Sequence, residues 1–164
     1  MSGPYSWVPP AYWLEDTGQY GGAWGFLTEG GPGESPMTLE SMQATIPAAN
    51  LWPISSDWNY HCGNPIGMFR DLRYFSPPLN SRYGQTQSAA DYLYKAQAAE
   101  YEGLRAMFEG YSRNKYLSTG VIQWMLNNAW PDNIWHLYDY YLVQGGGYFG
   151  TKKACEPIHI MYSY

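Results

Sequence analysis

Two short apolar runs, separated by a long helical pattern, constrain the fold of this chain most strongly. Residues 23–28 lie between two glycine pairs, and residues 120–126 are almost continuously apolar. Short apolar runs bounded by glycines are typical of strands, and unbroken apolar character indicates a parallel strand covered on both faces. Because two strands do not make a sheet that is stable alone, we expect an α/β fold that contains only part of a larger sheet.

The segments around these strands predict helices. Ser35, directly before a proline, predicts a helix start, and Pro47 predicts its end. A second helix is predicted over residues 86–111, where apolar side chains recur at helical spacing, Asp91 lies in the first turn and Gly110 marks the end. The first unit is therefore a strand, a glycine loop and a helix, which is one β/α step.

The remaining segments are less regular. Residues 1–22 and 50–85 are rich in proline and aromatic side chains, and we expect both to be long loops. Long loops inside compact domains are often functional. Residues 134–143 predict a last helix, and the tail of residues 157–164 alternates as a strand does.

The composition limits the function classes. Aromatic residues make up 18% of the chain, with 8 Trp and 17 Tyr, whereas charged residues make up only 14%. Trp and Tyr combine an apolar face with a hydrogen-bonding edge, as sugars do, although for any single aromatic side chain a place in a core or an interface is the simpler explanation. A net charge of −5 without a basic run argues against nucleic acid.

Other sequence signals are negative. No apolar stretch is long enough to span a membrane, and no secretory leader is visible. Cys62 and Cys155 have neither CxxC nor zinc-site spacing, so they either pair or stay free. We expect no metal and no cofactor.

Polar and aromatic side chains lie at the ends of both predicted strands. Glu29 follows the first strand directly and precedes two glycines, which let a ligand approach the backbone closely. The second strand ends with Trp124, and the turn after it contains Asn127, Asn128 and Trp130. In α/β barrels the carboxyl ends of strands carry the functional side chains, and an indole with amides beside it would suit a saccharide.

Structural explanations stand beside these functional ones. Glu29 would be a loop carboxylate if it paired with Arg70 or Arg73. Trp124 would be a core residue, since strands often bury tryptophan. The residues alone leave both alternatives open.

Residues 24–33, which include a Thr-Glu-Gly-Gly-Pro-Gly sequence, resemble the nucleophile strand of glycoside hydrolase family 2. The nearest branch is that of the exo-β-D-glucosaminidases and mannosylglycoprotein endo-β-mannosidases. Residues 99–111 resemble the penultimate barrel helix of this group, and residues 120–131 resemble its eighth strand. Residues 135–142 and 147–159 resemble the run from the barrel into the next β-sandwich.

This resemblance implies a partial (β/α)₈ TIM barrel, roughly strands seven and eight with their helices. Residues 1–150 would be the C-terminal portion of the catalytic domain, and residues 151–164 would be the connection to a β-sandwich and its first strand. A whole barrel takes about 250 residues, so the chain would be a fragment of the enzyme, inactive or very slow alone. The rest of the barrel and the β-sandwich domains would be its partners.

The resemblance also implies roles for residues. Glu29 would be the catalytic nucleophile of a retaining glycosidase. Its acid/base partner, a Glu in an Asn-Glu or Asp-Glu pair, is absent from this sequence, and Glu34 does not match it. Trp124 would line the subsite of the cleaved sugar, with Asn127 and Trp130 nearby.

Further pocket residues are expected in the loop after strand seven, where Trp58 and His61 would line the wall. The substrate would be a glycoside with a terminal β-linked amino sugar, or alternatively a β-mannoside or a β-galactoside. Recognition of an amino group would need an acidic residue, for which Asp57, Asp132 and Asp139 are candidates. The competing possibilities are a carbohydrate-binding module without catalysis and an interaction domain.

Overall fold

The structure, a computed structural model, describes residues 3–15, 21–31, 33–63, 67 and 69–162. Over these residues it contains six α-helices, two β-strands and one 3₁₀ turn at Ala48–Asn50. In chain order the elements are α1 (Pro10–Trp13), β1 (Gly25–Gly30), α2 (Leu39–Thr45), α3 (Ser56–Tyr60), α4 (Ser76–Tyr83), α5 (Ala89–Arg113), β2 (Ser118–Gln123) and α6 (Gly146–Ala154). The α/β class expected from the sequence is confirmed.

Strands β1 and β2 pair in parallel, with Gly25 opposite Ser118 and Gly30 opposite Gln123. Both predicted strands are present, but each is displaced by about two residues, so that Glu29 lies inside β1. The other edge of β1 is occupied by the start of the chain, where Gly3 N–H donates to the Glu29 carbonyl at 2.7 Å. Backbone partners on both edges extend β1 past the apolar run.

Helix α5 is the scaffold of the fold, and its 25 residues pack against α1, α2, α4, α6 and β2. Ser88 caps its first turn by accepting from the Asp91 N–H at 3.1 Å, which agrees with the predicted start. The prediction that Gly110 ends the helix is wrong. A Cβ at Gly110 would lie 2.5 Å from the Trp13 carbonyl oxygen, so the glycine allows α1 to approach α5 closely.

Two other predicted boundaries are wrong. Helix α2 begins after Thr38, whose side chain accepts from the Ser41 N–H at 3.5 Å, and Ser35 instead donates its N–H to the Asn133 carbonyl. The segment 50–85, expected to be one loop, contains α3 and α4. Local proline and serine signals therefore did not locate the helix starts in this part of the chain.

Residues 134–143 do not form the predicted helix. They form turns and single β-bridges instead. Asp139 Oδ1 accepts from the backbone N–H groups of Tyr141 and Val143 and holds one of these turns. The helix forms later, at α6, where Gly146 N–H donates to Gln97 Oε1 at 2.6 Å. A Cβ at Gly146 would overlap the Gln97 carbonyl, so glycine is required where α6 meets α5.

The predicted division after residue 150 falls inside α6, which packs along α5 as one unit. The described part of the tail, through residue 162, forms no strand. The last two residues of the predicted tail strand lie outside the described residues, as do residues 1–2 and 16–20 of the predicted first loop.

Among the described residues, none of the helices is long and apolar enough to cross a membrane. Nor do those residues contain a group of three or more His, Cys, Asp or Glu side chains able to hold a metal ion. Cys62 is buried and Cys155 is exposed, and both are free.

Candidate active site

Glu29 lies near the carboxyl end of β1 and is half-buried. The Tyr5 hydroxyl donates to Glu29 Oε1 at 2.5 Å, which orients the carboxylate. The alternative partners expected from the sequence, Arg70 and Arg73, both pair with Asp71 instead, at 3.6 and 2.5 Å. The Tyr5 hydroxyl therefore fixes the orientation of a half-buried carboxylate near the end of a parallel strand.

Trp124 lies beside Glu29 at the end of the neighbouring strand. Its backbone N–H donates to the Gly30 carbonyl at 2.6 Å, and its side chain is 40% exposed, so it is not a core residue. A Cβ at Gly31 would lie 2.5 Å from the Trp124 carbonyl oxygen. Gly31, two residues after Glu29, therefore lets the two strand ends approach each other.

Trp135 contacts Tyr5, and the sequence did not predict this role. Its indole N–H donates to the Tyr5 carbonyl at 2.7 Å, and the two rings pack edge to face at 6.2 Å. Its own carbonyl accepts from Met125 N–H at 2.6 Å and from Gln123 Nε2 at 2.9 Å. Trp135 thus connects Tyr5, and through it Glu29, to the end of β2. Tyr5 lies in a segment without periodicity, so no sequence pattern indicated either residue.

His61 and Trp130 are brought together, with Tyr60 beside them. The His61 ring lies parallel to the Trp130 ring at 13° and 5.7 Å between centroids. Tyr60 is nearly perpendicular to both rings, at 5.3 and 5.8 Å. We call these three side chains the aromatic corner. Tyr60 is 70% exposed and Trp130 is 49% exposed, so the corner presents ring surface to solvent.

Asn127 is exposed, and its backbone bridges Tyr138. The adjacent Asn128 is buried, and its Nδ2 donates to the Ile134 carbonyl at 3.0 Å and contacts His136 Nδ1 at 3.1 Å. Asn128 therefore stabilises the turn, while Asn127 remains accessible to a ligand.

The expectation that Trp58 lines the pocket requires correction. Its side chain is 0% exposed in the core, where its indole N–H donates to the Leu51 carbonyl at 3.0 Å. The ring packs edge to face on Tyr92 at 5.6 Å. A side chain without exposed surface does not contact a sugar, and burial in α3 explains why this tryptophan behaves differently from Trp124.

Glu34 is the carboxylate closest to Glu29 in the sequence, but it is 1% exposed. Its Oε2 accepts from the Trp7 N–H at 3.4 Å. Burial raises the pKa of its carboxyl above the ordinary value. Glu34 therefore has almost no surface that a ligand could reach.

The three acidic candidates for recognition of an amino group have different surroundings. Asp139 is buried and holds a turn. Asp57 accepts from Asn50 Nδ2 at 2.8 Å in the first turn of α3. Asp132 is two residues beyond Trp130, and burial raises the pKa of its carboxyl to about 6. Both Asp132 and Asp57 lie close to the aromatic corner, since the Asp57 carbonyl accepts from the His61 N–H at 3.3 Å.

Known enzymes resemble the chain over nearly all of its length. The chain is 42% identical over 171 residues to an exo-β-D-glucosaminidase of Streptomyces avermitilis, and the match covers 100% of this chain. It is 28% identical over 170 residues to a mannosylglycoprotein endo-β-mannosidase of Lilium longiflorum, over 96% of this chain and 17% of that protein.

A solved structure is also similar to the chain. The exo-chitosanase CsxA of Amycolatopsis orientalis superimposes with a TM-score of 0.88 at 39% identity, over 98% of this chain and 20% of that one. The chain is homologous to a segment of glycoside hydrolase family 2 enzymes. The resemblance read from the sequence is thereby confirmed.

Three further findings describe how far the relationship extends. The chain spans only 19% of the length of the Streptomyces protein, about a fifth of such an enzyme. No family model matches the chain. A variant of CsxA has also been solved in complex with PNP-β-D-glucosamine, which gives the ligand class of that relative.

Proposed function

We propose that the chain is the part of a retaining β-glycosidase, of the exo-β-D-glucosaminidase type, that supplies the nucleophile Glu29. The observation that carries the proposal is the position of Glu29 at the end of a parallel strand, oriented by Tyr5 and adjacent to the exposed Trp124. Strands β1 and β2 would be roughly strands seven and eight of a TIM barrel, and the barrel remainder and the following β-sandwich domains would be partners.

The reaction follows from the carboxylate. Glu29 attacks the anomeric carbon, the glycosidic C–O bond breaks, and the leaving oxygen takes a proton from a second carboxyl. Water then releases the sugar from the covalent intermediate, and the second carboxyl takes back a proton. That carboxyl must lie about 5–5.5 Å from Glu29. Because Glu34 is buried, we propose that the acid/base belongs to a part of the enzyme outside this chain.

The substrate class rests on the relatives and on the exposed side chains. We propose a terminal β-linked glucosamine as the cleaved sugar, packed on Trp124, with Asn127 available to its hydroxyls. The mannosidase relative makes β-mannosides the second candidate, ahead of β-galactosides. A carbohydrate-binding module without catalysis is the remaining candidate, favoured by the exposed aromatic side chains alone.

The test uses a hybrid enzyme, in which this chain replaces the matching segment of CsxA. The hybrid should hydrolyse PNP-β-D-glucosaminide, and Glu29→Ala should lower kcat by about 10⁴-fold or more. Azide added to that variant should restore turnover and give the α-glycosyl azide, because azide then attacks from the face that Glu29 occupied.

Glu34→Gln is the matched control, and we expect it to keep most of the activity of the hybrid. Circular dichroism checks that each variant is folded. A folded Glu29→Ala hybrid with unchanged kcat, or a β-configured azide product, would contradict the assignment. The isolated 164-residue chain should show no turnover of aryl β-glucosaminides or β-mannosides, and robust turnover would refute the proposal that the acid/base lies elsewhere.

A further inference from the structure

We propose that Gln97, on α5, is a positioning residue for the candidate active site, because its side-chain amide connects the two loops that follow the strands. These are the β1 loop, residues 33–38, and the β2 loop, residues 124–145, which leads into α6. In this role Gln97 acts through the backbone of both loops rather than on the substrate. The inference rests on the proposed function of Glu29 and adds a residue that neither strand end carries.

Both ends of the Gln97 amide are bonded to backbone. Its Nε2 donates to the Pro36 carbonyl at 2.7 Å, and its Oε1 accepts from the Gly146 N–H at 2.6 Å. Because a carbonyl only accepts and a backbone N–H only donates, these two partners fix the orientation of the amide. Pro36 lies 61 residues before Gln97, and Gly146 lies 49 residues after it. One side chain thus joins the β1 loop to the end of the β2 loop.

Helix α6 depends on α5 for the caps of its first turn. Its N-cap residue, Gly145, has no side chain, and the first N–H groups of a helix need partners from outside the helix. Gln97 accepts from Gly146, and the buried Glu100 accepts from the Gly147 N–H. Two side chains of α5 therefore fix the position at which the β2 loop ends.

The close packing at this junction holds the Gln97 amide in place. A Cβ at Gly145 would lie 3.0 Å from Gln97 Oε1, and a Cβ at Gly146 would overlap the Gln97 carbonyl. Gln97 Nε2 also lies 3.5 Å from Glu100 Oε1. The amide is therefore preorganised between its two backbone partners.

The same two loops are bonded to each other next to the groups that orient Glu29. The Trp135 N–H donates to the Gly33 carbonyl at 2.8 Å. The Trp135 indole donates to the Tyr5 carbonyl at 2.7 Å, and the Tyr5 hydroxyl donates to Glu29 at 2.5 Å. Gln97 bonds the β1 loop three residues beyond Gly33. A shift of either loop at Gln97 is therefore transmitted to the residue that holds Tyr5.

Asn133 forms a second connection between the loops. Its carbonyl accepts from the Ser35 N–H at 2.8 Å, and its Oδ1 accepts from the Met37 N–H at 3.1 Å. Asn133 is 0% exposed, so its replacement would also disturb the core. Gln97 is half-buried and is the better residue to replace, because Asn133 still holds the β1 loop when Gln97 is lost.

The first experiment measures kcat of the hybrid enzyme for PNP-β-D-glucosaminide with and without Gln97→Ala. A misplacement of about 1 Å far from the chemistry lowers a rate by about 100-fold. We expect a fall of about 10-fold for Gln97→Ala, because Asn133 limits the displacement. Gln43→Ala, at an exposed glutamine on α2, is the matched control and should leave kcat unchanged. A folded Gln97→Ala hybrid with kcat within about twofold of the parent would overturn the proposal.

The variant Gln97→Glu separates positioning from packing. The ionised carboxylate accepts from the Gly146 N–H but cannot donate to Pro36, whereas the protonated acid does both. Its kcat relative to the parent hybrid at the same pH should therefore rise as the pH falls from about 8 to about 5, and a constant ratio would contradict the connection.

The Gln97→Ala variant is the control for the pH experiment. The titratable groups around Gln97 are Glu100 on α5, Glu40 on α2 and Arg82 on α4, and both variants retain them. The kcat ratio of Gln97→Ala to the parent should stay constant with pH. A trend seen only in Gln97→Glu therefore comes from the introduced carboxyl, and an equal trend in both variants would overturn the proposal.

Hydrogen exchange separates this inference from the proposed function. Amide exchange of residues 33–38 and 138–147 is measured by mass spectrometry in the parent hybrid and in Gln97→Ala. Faster exchange of both segments in Gln97→Ala, but not in Gln43→Ala, supports the connection even if Glu29 proves not to be the nucleophile. Unchanged exchange in either segment would show that Gln97 does not hold the two loops together.

Discussion

Replacing Tyr5 by phenylalanine removes one oxygen atom from the candidate site and leaves the ring packed on Trp135. The lost contact is the 2.5 Å hydrogen bond to Glu29 Oε1. A hydrogen bond to a charged group contributes about 1.5–3 kcal/mol, which corresponds to about 10- to 150-fold in rate at about 1.4 kcal/mol per tenfold. We expect the loss mainly in kcat, because a carboxylate free to rotate no longer directs an oxygen at the anomeric carbon.

The assay is steady-state hydrolysis of PNP-β-D-glucosaminide, in which the unmodified hybrid enzyme and its Tyr5→Phe variant are compared at equal concentration. Tyr94→Phe removes a hydroxyl from an exposed position on α5 and should leave kcat unchanged. A Tyr5→Phe enzyme that is folded and loses less than about threefold in kcat/KM would refute the reasoning, because that loss lies below the range for a charged hydrogen bond. It would show that Glu29 is oriented by other groups.

Two further predictions concern Gly31, between the strand ends, and the buried His136. Gly31→Ala places a Cβ 2.5 Å from the Trp124 carbonyl oxygen, so the strand ends must separate, and kcat/KM of the hybrid should fall about 100-fold; unchanged kinetics would show that the ends separate freely. Burial lowers the pKa of His136 to about 4, so the stability that neutral His136 contributes is complete above about pH 6.5 and is lost as the pH falls toward 4. We expect the wild type to have a higher free energy of unfolding than His136→Gln at pH 7, and this difference should fall by about 3 kcal/mol at pH 4. Urea unfolding at both pH values measures it. A difference that does not change with pH would contradict the buried neutral ring.

The elements predicted well from the sequence are those whose signals are local. The apolar runs and their glycine boundaries located both strands within a few residues, because buried parallel strands need uninterrupted apolar character. The helical period and Ser88 located α5 in the same way. The same signals predicted that Glu29 lies near the end of the first strand, as it does in β1.

The errors occurred where a glycine or a polar residue acts through a distant partner. Gly110 was predicted to end a helix, yet it lies inside α5 and allows the backbone of α1 to approach. The Asp139 side chain holds a turn where periodicity predicted a helix. A short stretch of sequence does not show the contacts that determine these structures.

By itself, the sequence determined the α/β class, the two strands and the placement of Glu29 at a strand end. Only the tertiary structure decided what surrounds that carboxylate. Tyr5 reaches it across 24 residues, and Trp135 holds Tyr5 across 130. The structure also separated Trp58, which is core, from Trp124 and Trp130, which are exposed. All three carry the same side chain, so their roles depend on burial, which the packing of distant segments sets and local sequence does not contain.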